Sequence, residues 1–266
     1  MGVVSVERSQ LAPTRKYRRW LLAELWVKLR ARYTEGWRAL PVQNRKRWAF
    51  TIIAGMLALF GVTAILVLVS KYAAAHHLLD WEADFLRRLE LRGPFGFSSA
   101  VWFQTFGTDI TLAILILFSS SIAAWTRRPL TALSIPLAFF AVDLAVRFGW
   151  ASWDRSRPDV IMQGLAAPGF HSFPSGHTGK TLAVYGFLAS RWWRATRNLT
   201  ERVFILAITA FIVAIVPLGR LRMGVHWPSD ILGGYTIGLV WLAVLVWAAR
   251  QEDRISRARA APVELP

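Results

Sequence analysis

An all-α membrane protein, a polytopic bundle of six transmembrane helices with a polar site at their outer ends, is predicted by three features of this chain. Its 266 residues are 55% hydrophobic, they carry a formal charge of +16, and charge and apolar residues are segregated along the sequence. Apolar segments at 49–70, 106–125, 130–146, 181–193, 203–218 and 231–249 are separated by polar stretches. A soluble domain interleaves the two instead. A bilayer-spanning helix needs about 20 residues, and the shorter segments reach that length by borrowing flanking residues or by lying inside the bundle. The first segment is too long for a signal-peptide core and no small-residue cleavage site follows it, so it is expected to be retained. With no cysteine in the chain, disulfides, thiolate metal sites and cysteine nucleophiles are excluded.

Basic residues set the expected orientation. Residues 1–48, 126–129, 191–202 and 250 onward hold 22 of the 32 Lys and Arg residues, which places these stretches and both termini in the cytoplasm. Segments 71–105, 147–180 and 219–230 then lie outside. The expected organisation is a basic cytoplasmic segment, 1–48, a membrane domain, 49–250, and a cytoplasmic tail, 251–266.

In residues 14–40, Leu22, Leu25, Trp26, Leu29, Tyr33 and Leu40 fall near one face at helical spacing, and Pro41 stops the run. This predicts an amphipathic helix on the inner leaflet, either a plain interfacial anchor or a contact with anionic lipids. A nucleic-acid partner is not expected, because the charge is sorted by membrane side rather than gathered on one soluble face. Residues 76–105 predict a short outer helix broken at Gly93-Pro94. Its adjacent His76 and His77 point to different faces and have no further ligand at metal spacing, so no metal is expected there.

Chemistry concentrates in three outer segments. In "HSFPSGHTGKT", residues 171–181, Gly179-Lys180-Thr181 imitates the end of a nucleotide-binding loop, but that loop needs a glycine where Pro174 stands. What remains is Ser175-Gly176 at a helix start, which offers backbone N–H groups, a hydroxyl and the positive end of the helix dipole to a phosphate oxygen, with His177 beside them as a proton donor. In "GRLRMGVHWPSDILGG", residues 219–234, Asp230 follows His226 by one helical turn. It can hold one imidazole nitrogen and leave the other free to attack, while Arg220 lies six residues upstream. The third segment, "RFGWASWDRSRPD", residues 147–159, adds Arg155, Arg157 and Pro158 just outside another helix end.

Together these segments resemble the type 2 phosphatidic acid phosphatase superfamily, whose signature runs Lys, six residues, Arg-Pro; Pro-Ser-Gly-His; and Ser-Arg, five residues, His, three residues, Asp. The matches are Arg157-Pro158, Pro174-Ser175-Gly176-His177, and Arg220, His226 and Asp230 with both spacings kept. Trp150 stands in the lysine position and Gly219 in that of the serine. Arg147, three residues before Trp150, is the nearest basic residue; it either binds phosphate or pairs with Asp143 four residues earlier.

The resemblance implies metal-free hydrolysis of a lipid phosphate, without a cofactor, at the outer face of a bacterial inner membrane. Arg157, Arg220, Ser175 and Gly176 would hold the phosphate; His226, oriented by Asp230, would attack phosphorus; and His177 would protonate the leaving oxygen. The lipids it implies are phosphatidic acid, phosphatidylglycerophosphate, undecaprenyl diphosphate and lipid A phosphates. Lipid-to-lipid phosphotransfer and non-catalytic binding or transport are the alternatives. Two further cations, Lys180 one turn after His177 and Arg222 two residues beyond Arg220 in an expected extended loop, are placed to meet a second phosphate, which would favour a diphosphate.

Overall fold

Prolines mark the starts of three long helices. Pro41 precedes α2 (Val42–Ala75), Pro129 opens α6 (Pro129–Ser152) and Pro228 opens α9 (Pro228–Ala260). In each place the missing N–H lies where a helix has no internal acceptor anyway. The computed structural model describes residues 15–161 and 171–260, and every regular element among them is helical. The remaining helices are α1 (Arg15–Arg38), α3 (Trp81–Arg92), α4 (Phe97–Gln104), α5 (Asp109–Trp125), α7 (Gly176–Ala195) and α8 (Leu199–Arg222), with a single 3-10 turn at Thr105–Gly107.

Five stretches among the described residues are long and apolar enough to cross a membrane: Val42–Ala75, Phe97–Trp125, Pro129–Ser152, Leu199–Arg222 and Pro228–Asp253. The sixth expected span lies within α7. That helix has 20 residues, about the required length, but Lys180, Arg191 and Arg194 lower its apolar character. It tolerates them because it packs against α6, α8 and α9 and satisfies its charges with protein groups. The outward faces of α2, α5 and α8 expose Leu57, Leu68, Leu117, Phe118, Phe204 and Phe211, an apolar girdle that only lipid covers at low cost. The chain is an integral membrane protein.

The core is built from Leu59 of α2, Leu112 of α5, Val142 of α6, Phe187 of α7 and Trp241 of α9. At the end of the bundle remote from His177, Glu252 accepts hydrogen bonds from the Leu130 and Thr131 amides that open α6. There too, Arg191 forks onto Asp253 at 2.6 and 2.8 Å. On α1, Leu29 and Tyr33 pack on the core and Leu22, Leu25 and Trp26 are exposed, while Leu40, just after the helix, is buried.

Glycines let α7 and α9 touch backbone to backbone, as small residues do in membrane bundles. A Cβ on Gly238 would stand 2.9 Å from the Gly179 carbonyl oxygen, and one on Gly234 would stand 2.6 Å from the Ser175 carbonyl oxygen and 2.9 Å from Thr178 Cβ. Neither obstacle is a flexible side-chain end. Gly234→Ala is therefore expected to push the helices apart beside Ser175, costing about 1–3 kcal/mol and lowering the melting midpoint in detergent. Gly61→Ala is the control, since nothing lies within 4 Å of its Cβ position; equal midpoints for the two variants would refute the close-packing account.

Candidate active site

The three polar segments predicted from sequence meet at one end of the bundle. Ser175 caps α7, its hydroxyl oxygen accepting from the Thr178 amide at 3.5 Å and the Thr178 hydroxyl at 3.0 Å. The Gly176 and His177 amides fall in the first turn, where no intrahelical acceptor exists. The Ser175 amide donates to the Asp230 carbonyl oxygen at 3.0 Å, which ties this turn to the start of α9.

His226 is placed by a turn between α8 and α9. Gly224 takes φ +68°, a left-handed conformation suited to glycine, and any side chain there would press on Ile161. The chain then reverses so that His226 Nδ1 lies 3.3 Å from Asp230 Oδ2, which also accepts the Trp227 amide at 2.8 Å. Asp230 thus does half the work of a capping box while facing the imidazole. Both side chains are buried. Burial pushes the His226 imidazole down to about 4, against the upward pull of its Asp230 hydrogen bond, so near neutral pH it is uncharged and carries a free lone pair.

Arg157, on the extended segment after α6, donates to the Val225 carbonyl oxygen at 3.2 Å. Arg220, in the last turn of α8, donates to Gln104 Oε1 of α4 at 2.6 Å, and its buried Nε has no acceptor. His177 lies within electrostatic reach of His226, Arg220 and Arg157. The structure therefore brings together two imidazoles, two guanidiniums and a helix N-terminus. That set can hold a tetrahedral anion and offer it two imidazoles for proton transfer or attack.

Three expected phosphate ligands are placed differently. The Arg147 Nε bonds Asp143 at 2.7 Å and its side chain is 66% exposed, so the ion-pair alternative is the one observed. Lys180 is buried, with Nζ 2.5 Å from Asp109, 3.3 Å from Asp143 and over the Phe139 ring; two carboxylates already balance its charge. The extended loop expected to carry Arg220 and Arg222 on one side is in fact the end of α8. Residues two apart on a helix diverge by about 200°, so the buried Arg222 does not share the direction of Arg220. Trp150, in the lysine position, instead stacks on His171 and donates to the Pro174 carbonyl oxygen.

Sequence reasoning gave no role to Arg155, Glu82 or Gln104. Arg155 bridges Glu82 of α3 and Asp230 of α9, and Gln104 meets Arg220. The only local signal was the position of Arg155 two residues before Arg157. The carboxylate and the amide come from helices elsewhere in the chain.

Residues 130–254, which include α6 to the spanning part of α9, match the family model described as the PAP2 superfamily. A 106-residue stretch is 31% identical to phosphatidylglycerophosphatase B of Bacillus subtilis (strain 168), covering 39% of this chain and 51% of that protein. The chain thus spans about half the length of this curated relative. The crystal structure of a transmembrane PAP2-type phosphatidylglycerolphosphate phosphatase from Bacillus subtilis superposes with a TM-score of 0.60 at 23% identity, covering 71% of this chain and 93% of that one. The bundle that carries the site has the fold of a membrane PAP2 protein.

Proposed function

We propose that the protein is an integral membrane phosphatase that hydrolyses a phosphate ester or diphosphate on a lipid head group through a phosphohistidine. The observation that carries this reading is the convergence of His177, His226, Arg157 and Arg220 at the N-terminus of α7, with Asp230 holding Nδ1 of His226.

Arg157, Arg220, the Ser175 hydroxyl and the Gly176 amide hold the phosphate oxygens and balance the charge that grows on them in the transition state. Nε2 of neutral His226 forms the P–N bond as the P–O bond to the lipid breaks, and protonated His177 gives its proton to the departing oxygen. Neutral His177 then takes a proton from water, whose oxygen attacks phosphorus and releases the imidazole. Trp153 and Trp227 flank this end of the bundle, which supports a head group presented at the membrane interface, where tryptophan is enriched. The charge asymmetry of the loops supports a periplasmic site, with both termini cytoplasmic, in a bacterial inner membrane. It also supports a basic segment 1–48 that rests on anionic inner-leaflet lipids and a cytoplasmic tail from 251. With Lys180 paired to Asp109 and Asp143, a lipid monophosphate suits the site at least as well as a diphosphate, and the likeness to the Bacillus phosphatidylglycerophosphatase supports phosphatidylglycerophosphate as the first substrate to try.

The purified protein is expected to release inorganic phosphate from at least one of a panel of lipid mono- and diphosphates in detergent, and to do so equally with excess chelator. No release from any of them, or a loss with chelator that a divalent ion restores, would overturn the proposal. Label recovered on a second lipid instead of in free phosphate would make it a phosphotransferase.

A further inference from the structure

We infer that Glu82 and Arg155 are positioning residues for the site, joined to His226 by an unbroken carboxylate–guanidinium–carboxylate chain that fixes the orientation of Asp230. The inference rests on the histidine chemistry proposed above. Asp230 has two oxygens: Oδ2 faces His226, and Oδ1 takes Arg155 Nη1 at 2.7 Å, a nitrogen that also reaches Ser229 Oγ at 2.6 Å. Arg155 Nη2 continues to Glu82 Oε2 at 2.5 Å, while Glu82 Oε1 accepts the Ser229 amide at 2.7 Å.

The Glu82 side chain is 1% exposed and that of Asp230 0%, and the guanidinium lies against the rings of Trp153 and Trp227. Such a carboxylate survives burial only when its oxygens are occupied; here each oxygen has a partner. Geometry gives the chain a task. A guanidinium on Oδ1 stops the carboxylate from rotating, so Oδ2 stays aimed at the imidazole, the proton stays on Nδ1 and Nε2 keeps its lone pair. The outer helix α3 thereby reaches the reacting nitrogen without touching substrate.

The groups facing His226 are Asp230 from α9, Arg220 from α8, Arg157 from the segment after α6, and His177 from α7. Against this background Glu82→Gln removes a negative charge behind Arg155, which disfavours the imidazolium and moves the acid limb of kcat/KM to lower pH. Arg155→Gln removes the positive charge and moves it to higher pH. Each variant is expected to lose about 10–100-fold in kcat, the range for partners one shell removed, with KM within about threefold. Arg155→Lys keeps the charge without the fork, so it should lose kcat with the acid limb of the wild type; it also serves if Arg155→Gln fails to fold.

Folded Glu82→Gln with wild-type kcat, or acid limbs that stay put or move the same way, would overturn the inference. The imidazole titration of His226, followed by NMR in nitrogen-15 histidine-labelled protein, must show the same opposed shifts. That measurement stands even if the wild type releases no phosphate, an outcome that would sink the phosphatase reading alone.

Discussion

Replacing His226 with alanine is expected to lower phosphate release by about a thousandfold or more, the scale on which enzymes lose rate when a nucleophile is removed. On the proposed mechanism His177 serves as acid and base, and the guanidiniums of Arg157 and Arg220 are not nucleophiles. The fold should persist, because the turn that places residue 226 is held by the Gly224 conformation and by backbone bonds such as Val225 N–H to the Arg220 carbonyl. Size-exclusion elution and the melting midpoint in detergent check that. His76→Ala is the companion control: its imidazole is exposed and meets the Tyr72 carbonyl oxygen, and turnover should match the wild type. A folded His226→Ala protein with turnover within tenfold of the wild type would end the phosphohistidine mechanism.

Replacing His177 is expected to separate the two halves of the reaction. On a lipid phosphate the departing alkoxide needs a proton, so His177→Ala should lose about 10²–10⁴-fold. On p-nitrophenyl phosphate the leaving group departs without one. Phosphoryl transfer to His226 should then survive while the second half, which needs His177 to deprotonate water, stalls. Rapid-quench kinetics should show a burst of nitrophenolate close to one per enzyme followed by slow turnover. Label from the phosphate should stay on the protein, stable to base and released by acid. A variant that turns over both substrates at wild-type rates would remove His177 from the role of general acid and base, and label held by an acid-stable ester would remove His226 from that of nucleophile.

Much of this site was legible because its chemistry is local. His226 and Asp230 are one helical turn apart and Ser175 caps the helix that begins with Gly176, so spacing alone aligned them. The pairing of Lys180 was not legible because its partners, Asp109 and Asp143, come from α5 and α6, 71 and 37 positions away. A lysine at a helix start looks free to bind phosphate until those neighbours are packed against it. Glu82 was hidden for the same reason, since it meets Arg155 across 73 positions. Arg222 misled through a boundary: α8 continues past Gly219 to Arg222, and neither glycine nor arginine at a helix end declares in which turn the helix stops. The helix count strained at α7, whose charges make it read as a weak span, although ion pairs such as Arg191–Asp253 hold those charges inside the bundle.

The Ser175–Asp230 and Glu82–Ser229 links join the first turn of α9 to segments made much earlier in synthesis. A growing chain that has inserted everything through α8 already carries His177, Arg157 and Arg220, yet has nothing to hold the imidazole of residue 226. On the mechanism proposed above, the site is therefore complete only once α9 has packed beside α7 and α3, and turnover would report a finished bundle.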